Sequence, residues 1–203
     1  MAFEKPDVPA FKHGLNDNYV VRRATERFHA ENFDAKEYAI RSKSAFDKLR
    51  ERGINVPAQL VVADNEKDST GKGADVFVIT DKIDHLPIEN LGPEEKTKAG
   101  EEFHNVPLAL VGYYENTFET RSDFLADLSE REQYVYGTKR GAAKAEWYLV
   151  DTDPILYDDL ASLADNVLAL EEELPDIEEE FSIKFSDVRK RAKYLLKKLN
   201  EVD

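Results

Sequence analysis

Gly53 separates a long helical pattern from two segments that have the composition of β-strands. The helical pattern runs from about Asp34 to Arg52, and its small and apolar residues recur at the spacing of a single helix face. The two segments, 59–63 and 76–81, are rich in residues that favour strands, and the polar residues between them are typical of a hairpin loop. A helix that stops at a glycine and leads into a hairpin predicts a mixed α+β fold, with the helix lying on a small sheet.

The N-terminal side of this unit contains one more strand pattern and the signal for a helix start. Residues 19–24 are rich in β-formers and predict a short strand, whereas residues 1–18 combine two prolines with a glycine and predict an irregular arm. Asp34 is placed to accept hydrogen bonds from the first free helical amides, and Glu37 completes a pattern similar to a capping box. The expected order is therefore strand, helix, strand and strand.

The second half of the chain is mainly helical in pattern. Pro93 and the two glutamates that follow it predict a helix start, Pro107 predicts a break, and the residues from Leu108 to about Arg121 predict a buried helix. The other predicted elements are a β-hairpin with arms at 133–137 and 146–150, and two helices at about 155–173 and 186–201.

The last two helices differ in charge. Residues 171–180 are strongly acidic, and we interpret them as a solvated connection between the helices because like charges repel and remain in water. Ser186 is the predicted cap of the last helix. The basic residues within 189–198 are expected to balance the acidic run across the helix pair.

Composition sets the outer limits of the fold. The 203 residues are 41% hydrophobic and 34% charged, which suffices for one core or two small lobes and argues against general disorder. No run approaches the roughly 20 apolar residues that cross a bilayer, and the N-terminus lacks the pattern of a secretory signal. We therefore expect a globular cytoplasmic protein with no membrane partner.

Charge and cysteine content narrow the function classes. The chain has no cysteine, which excludes disulfides and thiolate chemistry. Its formal net charge of -14 argues against general nucleic-acid binding, because such binding needs clustered Lys and Arg. A bound nucleotide remains compatible with this charge, since a metal and one local basic group can neutralise its phosphates.

Two acidic segments follow the first unit in a fixed order. The first is Asp127-Leu-Ser-Glu-Arg-Glu-Gln, directly before the predicted hairpin, and the second begins at Asp151, directly after the second strand of that hairpin. Together with the helix, strand, loop, strand and linker before them, these segments resemble the protein-kinase-like superfamily, which includes the aminoglycoside phosphotransferases. The resemblance covers about residues 19–155.

The resemblance implies a fold and a division of the chain. The fold is α+β, a reduced two-lobed protein-kinase-like arrangement that forms one compact unit. An irregular arm at 1–18 precedes a small lobe of sheet and helix at 19–86. A mainly helical second lobe at 87–203 carries the β-hairpin.

Phosphoryl transfer needs a cation on the nucleotide phosphates, carboxylates that hold magnesium, and a carboxylate that orients the acceptor hydroxyl. By resemblance, the cation is Arg22 or Arg23, on the strand where the family has a lysine. Glu37 is the acidic partner of that cation or, alternatively, serves only in the capping box. The residues at the position of the interlobe hinge, whose backbone groups contact adenine in the family, are Asp81, Lys82 and Ile83.

The acidic segments supply the other two parts by resemblance. Asp127 corresponds to the residue that orients the acceptor hydroxyl; the alternative is a polar turn that caps the preceding helix. Asp151 corresponds to the metal-binding aspartate, and Asp153 either adds a second carboxylate or joins it in a turn. The remaining metal ligand is Glu132 or, with one inserted residue, Gln133.

Several residues of the family pattern are missing together: the glycine-rich loop, the strand lysine, the catalytic-loop histidine, the metal-binding asparagine and the glycine of the metal motif. This predicts a pseudokinase-like binding or regulatory protein with a protein partner, in which binding of ATP and Mg is residual. One alternative is an active phosphotransferase that uses Asp127 and Asp151 with magnesium. The other is an interaction protein of α+β fold that binds no nucleotide.

Overall fold

The computed structural model describes residues 19–23, 35–64, 75–150 and 156–202. Their mixed helices and antiparallel strands confirm the predicted α+β class. In chain order, the elements are β1 (Tyr19–Arg23), α1 (Ala35–Glu51), β2 (Ala58–Asp64), β3 (Asp75–Asp81), β4 (Ile83–His85), α2 (Pro93–Phe103), α3 (Asn105–Thr120), β5 (Phe124–Leu125), β6 (Tyr134–Lys139), β7 (Glu146–Leu149), β8 (Leu156–Tyr157), α4 (Leu160–Phe181) and α5 (Ser186–Asn200).

The first sheet is antiparallel in the order β1-β3-β2, and α1 lies against it. Tyr38 and Ala39 of α1 form a small buried cluster with Val76 of β3. The helix predicted from about Asp34 and all three predicted strands are confirmed to within one or two residues. Asp34 itself, the predicted cap, lies outside the described residues.

Gly53 ends α1 as the sequence predicts. It has a left-handed φ of 90°, which glycine adopts without steric strain. The N–H of Gly53 donates to the carbonyl of Arg50 at 2.9 Å, and the N–H of Ile54 donates to that of Leu49 at 3.1 Å. These bonds satisfy carbonyls of the last helical turn before the chain enters β2.

Two smaller sheets follow. One has the order β4-β6-β7, so the predicted hairpin is confirmed and the short strand β4 lies along its outer side. Gly137 permits this approach, since a Cβ at that position would lie 2.4 Å from the carbonyl oxygen of Asp84. The other small sheet pairs Leu125 of β5 with Leu156 of β8 and thereby joins two segments distant in sequence.

The helix predicted at 155–173 begins later and extends much further. It is α4, Leu160–Phe181, and it passes through Pro175 and contains the whole acidic run. The interpretation of residues 171–180 as a connection between helices is therefore wrong. Its inner face, Leu170, Leu174, Ile177 and Phe181, is buried. Burial of four such side chains at about 1.5–3 kcal/mol each outweighs the roughly 3 kcal/mol that an interior proline costs.

The predicted charge balance between α4 and α5 is confirmed for two ion pairs, whereas Arg191 pairs with Glu115 of α3 instead. Arg189 lies 3.0 Å from Glu178, and Lys193 lies 3.3 Å from Glu171. Ser186, however, is the first helical residue rather than the cap, and the N-cap residue Phe185 makes no side-chain cap bond. The Glu178 carboxylate accepts a hydrogen bond from the Phe185 N–H at 2.8 Å instead, so α4 supports the start of α5.

One hydrophobic core is shared by the first sheet with α1 and by the mainly helical second half of the chain. A continuous cluster of buried side chains extends from α1, through α2, α3 and the hairpin, to α4 and α5. The helix start predicted at Pro93 and the break near Pro107 are both observed, since α2 begins at Pro93 and α3 begins at Asn105. Among the described helices, none has the combination of length and apolarity that a membrane crossing requires.

Candidate functional site

The loop of residues 126–133, here called the Asp127 loop, connects β5 to β6. Side chains of three elements make hydrogen bonds with its backbone and with the residue before it. The N–H of Leu125, the last residue of β5, donates to the Tyr113 hydroxyl of α3 at 2.9 Å. The Asp127 N–H donates to the side-chain oxygen of Asn166 in α4 at 2.8 Å. The Tyr134 hydroxyl of β6 donates to the carbonyl of Leu128 at 2.8 Å. The backbone of the loop is thus fixed by the fold.

Asp127 presents its carboxylate to solvent from this fixed backbone. Its side chain is exposed, and its φ of 56° lies in the left-handed region that non-glycine residues adopt at a cost of about 1–2 kcal/mol. The bond to Asn166 stabilises this conformation. The alternative that Asp127 caps the preceding helix is wrong, because α3 ends at Thr120 with Arg121 as its C-cap.

Gln133 ends the loop with an unusual buried amide. Only 8% of the residue is exposed, and its side-chain oxygen Oε1 is buried without a hydrogen-bond partner. Glu132, the alternative metal ligand, is exposed to solvent. A buried oxygen that lacks a partner carries a desolvation penalty, and oxygen is the ligand type that Mg²⁺ prefers. Of the two predicted residues, Gln133 therefore fits a metal ligand better.

Both flanks of residues 151–155 converge on this region. The N–H of Val150 donates to the backbone carbonyl of Gln133 at 2.8 Å. On the other side, the Leu156 N–H donates to the Tyr38 hydroxyl at 3.2 Å, and Leu156 pairs with Leu125. The predicted metal ligands Asp151 and Asp153 lie outside the described residues.

The same contacts bring the start of α1 towards the Asp127 loop. Glu37 precedes Tyr38 in the first turn of this helix, and its side chain is exposed. Arg41, one turn later, binds Asp123 with two hydrogen bonds of 2.7 and 2.8 Å, and Asp123 directly precedes β5. This hydrogen-bonded carboxylate raises the pKa of Arg41. Helix α1 is therefore joined to both strands of the small β5–β8 sheet.

The structure describes only the backbone of the two predicted phosphate-binding arginines. Arg22 pairs with Val78 and Arg23 pairs with Phe77 across β1 and β3. The positions of both arginine side chains lie outside the described part of the chain. Their proposed ion pair with Glu37 stays a prediction.

The hinge residues differ among themselves. The Asp81 N–H donates to the carbonyl of Pro57 at 2.9 Å, and its carboxylate forms a salt bridge with Lys139. The bond to Pro57 therefore uses this N–H within the fold, and the expectation that the hinge presents backbone groups to adenine stays a prediction. Lys82 is exposed, and Ile83 is half-buried at the start of β4.

The orientation of β4 decides which hinge groups stay available. The Leu86 N–H donates to the carbonyl of Tyr136 at 2.8 Å, just beyond the paired residues of β4. Backbone groups alternate in direction along an antiparallel strand, so those of Asp84 face β6 and those of Ile83 face the other edge. Among the paired residues of β4, the backbone groups of the predicted hinge residue Ile83 therefore point away from β6.

Three tyrosines lie under the Asp127 loop, and none of them titrates near neutral pH. Burial raises the pKa of Tyr113, Tyr114 and Tyr134 above the ordinary tyrosine value. Tyr113 and Tyr134 support the loop by hydrogen bonds, whereas the buried Tyr114 hydroxyl has no partner. The carboxylate of Asp127 is an exposed group of this loop, as are those of Glu130 and Glu132.

Sequence reasoning missed the residues that hold the loop. Asn166 lies on the buried stripe of α4 between Leu163 and Leu170, and a polar side chain at such a position is a signal of a specific partner. Tyr113 gives no comparable signal, because tyrosine is common in cores. Among the described residues, no group of three or more histidine, aspartate or glutamate side chains is arranged to hold a metal.

No protein-family model, curated protein or solved structure matches this chain. Function is therefore argued from the site itself.

Proposed function

We propose that this protein is a degenerate kinase-like binding protein that takes ATP and Mg²⁺ between the hinge at 81–83 and the Asp127 loop, and acts on a protein partner by binding rather than by turnover. The observation that carries this proposal is the construction of the loop: side chains of α3, α4 and β6 fix its backbone. It holds the Asp127 carboxylate in solvent and leaves the Gln133 oxygen buried without a partner.

The order of elements supports the kinase-like interpretation. A strand, a helix and two further strands form the first sheet, and a linker leads from it to the helices. The Asp127 loop precedes a hairpin, and the predicted metal segment follows the second arm of that hairpin. Leu125, directly before the loop, pairs with Leu156, directly after residue 155.

Binding without turnover follows from what surrounds these residues. Phosphoryl transfer depends on placing a cation, metal ligands and an orienting carboxylate together. Ser129 stands where the family often has a lysine and is buried, at 5% exposure. The strand cation is an arginine, whose planar group binds phosphate differently from lysine. The Asp81 N–H is already bonded within the fold.

The test is thermal unfolding with and without Mg·ATP. Ligand at 100 times its dissociation constant stabilises the native state by roughly 2.7 kcal/mol, which for a chain of this size corresponds to a rise in Tm of about 5–10 °C. We expect this rise in the wild type and its loss in Asp151→Ala. Asp176→Ala, an exposed aspartate on α4, is the matched control and should retain the rise.

Gln133→Met tests the unpartnered oxygen directly. Replacing a buried, unpaired acceptor with an apolar group of similar size should leave the free protein within about 1 kcal/mol of the wild type. It should nevertheless abolish the magnesium-dependent rise. Absence of any rise in the wild type at millimolar ATP would reject the proposal and leave the interaction protein without nucleotide.

The second candidate is an active phosphotransferase, and the exposed Asp127 carboxylate on a fixed loop favours it. Turnover of ATP above background, lost in Asp127→Asn while Mg·ATP still raises Tm, would establish this candidate over the first. Turnover unchanged by Asp127→Asn would point to a contaminating enzyme.

A further inference from the structure

Arg131 lies in the second half of the Asp127 loop, and its side chain turns inward. The central guanidinium carbon lies 4.4 Å from the ring centroid of Trp147, 5.3 Å from that of Phe103 and 5.5 Å from that of Phe181. These rings belong to β7, α2 and the end of α4. One cation thus contacts three aromatic side chains from three separate elements.

Two hydrogen bonds complete the surroundings of the guanidinium group. Arg131 donates to the backbone carbonyl of Tyr134 at 2.9 Å and to the Glu180 carboxylate at 3.1 Å. The arginine side chain is 18% exposed, while that of Glu180 is 34% exposed. The group is therefore largely withdrawn from water, and it keeps polar partners for part of its five donors.

The rings that receive Arg131 are fixed by their own contacts. The Trp147 indole N–H donates to the carbonyl of Ala99 at 2.7 Å, and the rings of Phe103 and Trp147 meet edge to face at 4.6 Å. Gly100 lets Phe181 approach α2, because a Cβ there would lie 3.0 Å from the Cβ of Phe181. Phe103, Trp147 and Phe181 are here called the aromatic cage. Any larger residue at position 100 would push Phe181 away from this cage.

The aromatic faces account for this contact better than the ion pair does. A partly exposed pair such as Arg131 with Glu180 contributes little, since water screens it. Cation–π attraction is stronger where the cation is desolvated, and arginine also stacks on ring faces. Burial lowers the pKa of Arg131, but its guanidinium group remains charged at every ordinary pH.

The position of Arg131 in the loop gives this contact a consequence. The contacts of Tyr113, Asn166 and Tyr134 act on residue 125, directly before the loop, and on residues 127 and 128 in its first half. Arg131 follows Asp127 by four residues and precedes Gln133 by two. It is the contact that joins the second half of the loop to α2 and to the end of α4.

We propose that Arg131 is a positioning residue: its insertion among Phe103, Trp147 and Phe181 fixes the turn that places Gln133 at the end of β7, and so couples α2 and α4 to the candidate site. The effect of Arg131 on the order of the loop does not depend on the proposed function, whereas its effect on ligand binding rests on that function.

The experiment compares Arg131→Met and Arg131→Lys with a matched control, Arg189→Met. Arg189 is also paired with a glutamate, Glu178, at 3.0 Å, but no described aromatic ring lies over it. Trp147 is the single tryptophan of the chain, so its fluorescence reports on the cage alone. Amide hydrogen exchange reports on the loop.

We expect Arg131→Met to increase exchange of amides in residues 126–133 at least tenfold, while amides of α1 and β2 keep wild-type rates. It should also change the Trp147 emission. Arg131→Lys keeps the cation and should restore part of both signals, whereas Arg189→Met should change neither. Wild-type exchange of the loop in Arg131→Met, or an equal increase across the whole chain, overturns the proposal.

If Arg131→Met does not fold, Arg131→Lys alone decides, because a lysine forms fewer hydrogen bonds and should still raise exchange selectively in 126–133. A titration with Mg·ATP separates the two claims. Weaker binding by tenfold or more in Arg131→Met supports the link to the site, and unchanged affinity removes that link. A wild-type protein that binds no ATP rejects the proposed function, while the exchange result still decides the role of Arg131 in the loop.

Discussion

The side-chain oxygen of Asn166 accepts a hydrogen bond of 2.8 Å from the backbone N–H of Asp127, 39 residues earlier in the chain. Asn166 is itself fixed, because its amide group donates to the carbonyl of Ser162 at 2.8 Å within α4. The longest helix of the fold therefore determines the backbone position of the residue that carries the exposed carboxylate. This is a direct link between the core and the candidate site.

Asn166→Ala should destabilise the protein by roughly 1–3 kcal/mol, because it leaves the Asp127 N–H without its partner in a loop held at positive φ. For a chain of this length the corresponding fall in Tm is about 2–12 °C. Thermal unfolding followed by circular dichroism measures it. Asn166→Asp keeps an acceptor for Asp127 but loses the donor to Ser162. Its Tm should therefore lie between those of the wild type and Asn166→Ala.

Asn105→Ala is the control for this prediction. Asn105 is exposed and donates to the carbonyl of Glu102 at a longer distance of 3.3 Å, so its loss should change stability by less than about 0.5 kcal/mol. Equal effects of the two substitutions would show that the Asn166 contact has no special weight.

Local signals were sufficient for most of the secondary structure. Gly53, Pro93 and the β-branched segments act within a few residues of themselves, and the elements that they predict are observed. Local signals failed at α4, where an acidic run with Pro175 looked like a connection. The deciding term was burial of Leu174, Ile177 and Phe181, which depends on elements far away in sequence.

The candidate site was harder to predict for the same reason. The position of Asp127 before a hairpin is visible in the sequence, but the contacts that fix it come from α3 and α4. Gln133 could be preferred over Glu132 only when the structure placed one in the interior and the other in solvent. The bond of the Asp81 N–H to the Pro57 carbonyl joins residues 24 positions apart and has no sequence signal.

The pair Arg41 and Asp123 should contribute more than an ordinary surface ion pair. Its two hydrogen bonds have the parallel geometry of the stronger arginine contacts, although the side chains are 36% and 29% exposed. A double-mutant cycle with Arg41→Met and Asp123→Asn should give a coupling energy of about 1 kcal/mol. High salt should reduce it.

Lys43 and Asp47 provide the comparison, since this pair lies within α1 and its side chains are 42% and 45% exposed. Its coupling energy should be at most about 0.5 kcal/mol. If the two cycles give the same value, the long-range pair does not join α1 to β5 in the way described above.

Glu178 should make the protein less stable in acid. The Phe185 N–H is the main cause that lowers the pKa of this carboxylate, and Arg189 and Lys184 add to it. A carboxylate with a lowered pKa in the folded state stabilises above its unfolded value and loses that effect as the pH falls through the folded one. The loss should therefore develop below the ordinary glutamate value of 4.5.

Glu178→Gln keeps an acceptor for Phe185 but does not titrate. Its free energy of unfolding, measured by urea denaturation between pH 6 and pH 3, should fall less steeply than that of the wild type. Glu179→Gln, an exposed neighbour on α4, should follow the wild-type slope. A slope for Glu178→Gln that equals the wild-type slope would contradict the assignment.

Gly137→Ala should disrupt the hinge side of the candidate site. The added Cβ would lie 2.4 Å from the Asp84 carbonyl oxygen and 2.8 Å from a methyl carbon of Ile83, and backbone at that distance cannot yield without separating β4 from β6. Overpacking of this kind typically destabilises by roughly 1–3 kcal/mol.

Gly92→Ala is the control, because its nearest neighbour is the flexible carboxylate of Glu95 at 3.5 Å. Amide exchange should increase at 83–86 in Gly137→Ala and remain unchanged in the control. Since Ile83 lies on this strand, any Mg·ATP affinity that the wild type has should weaken as well. An unaltered β4 in Gly137→Ala would mean that the hinge is not held by this strand pair.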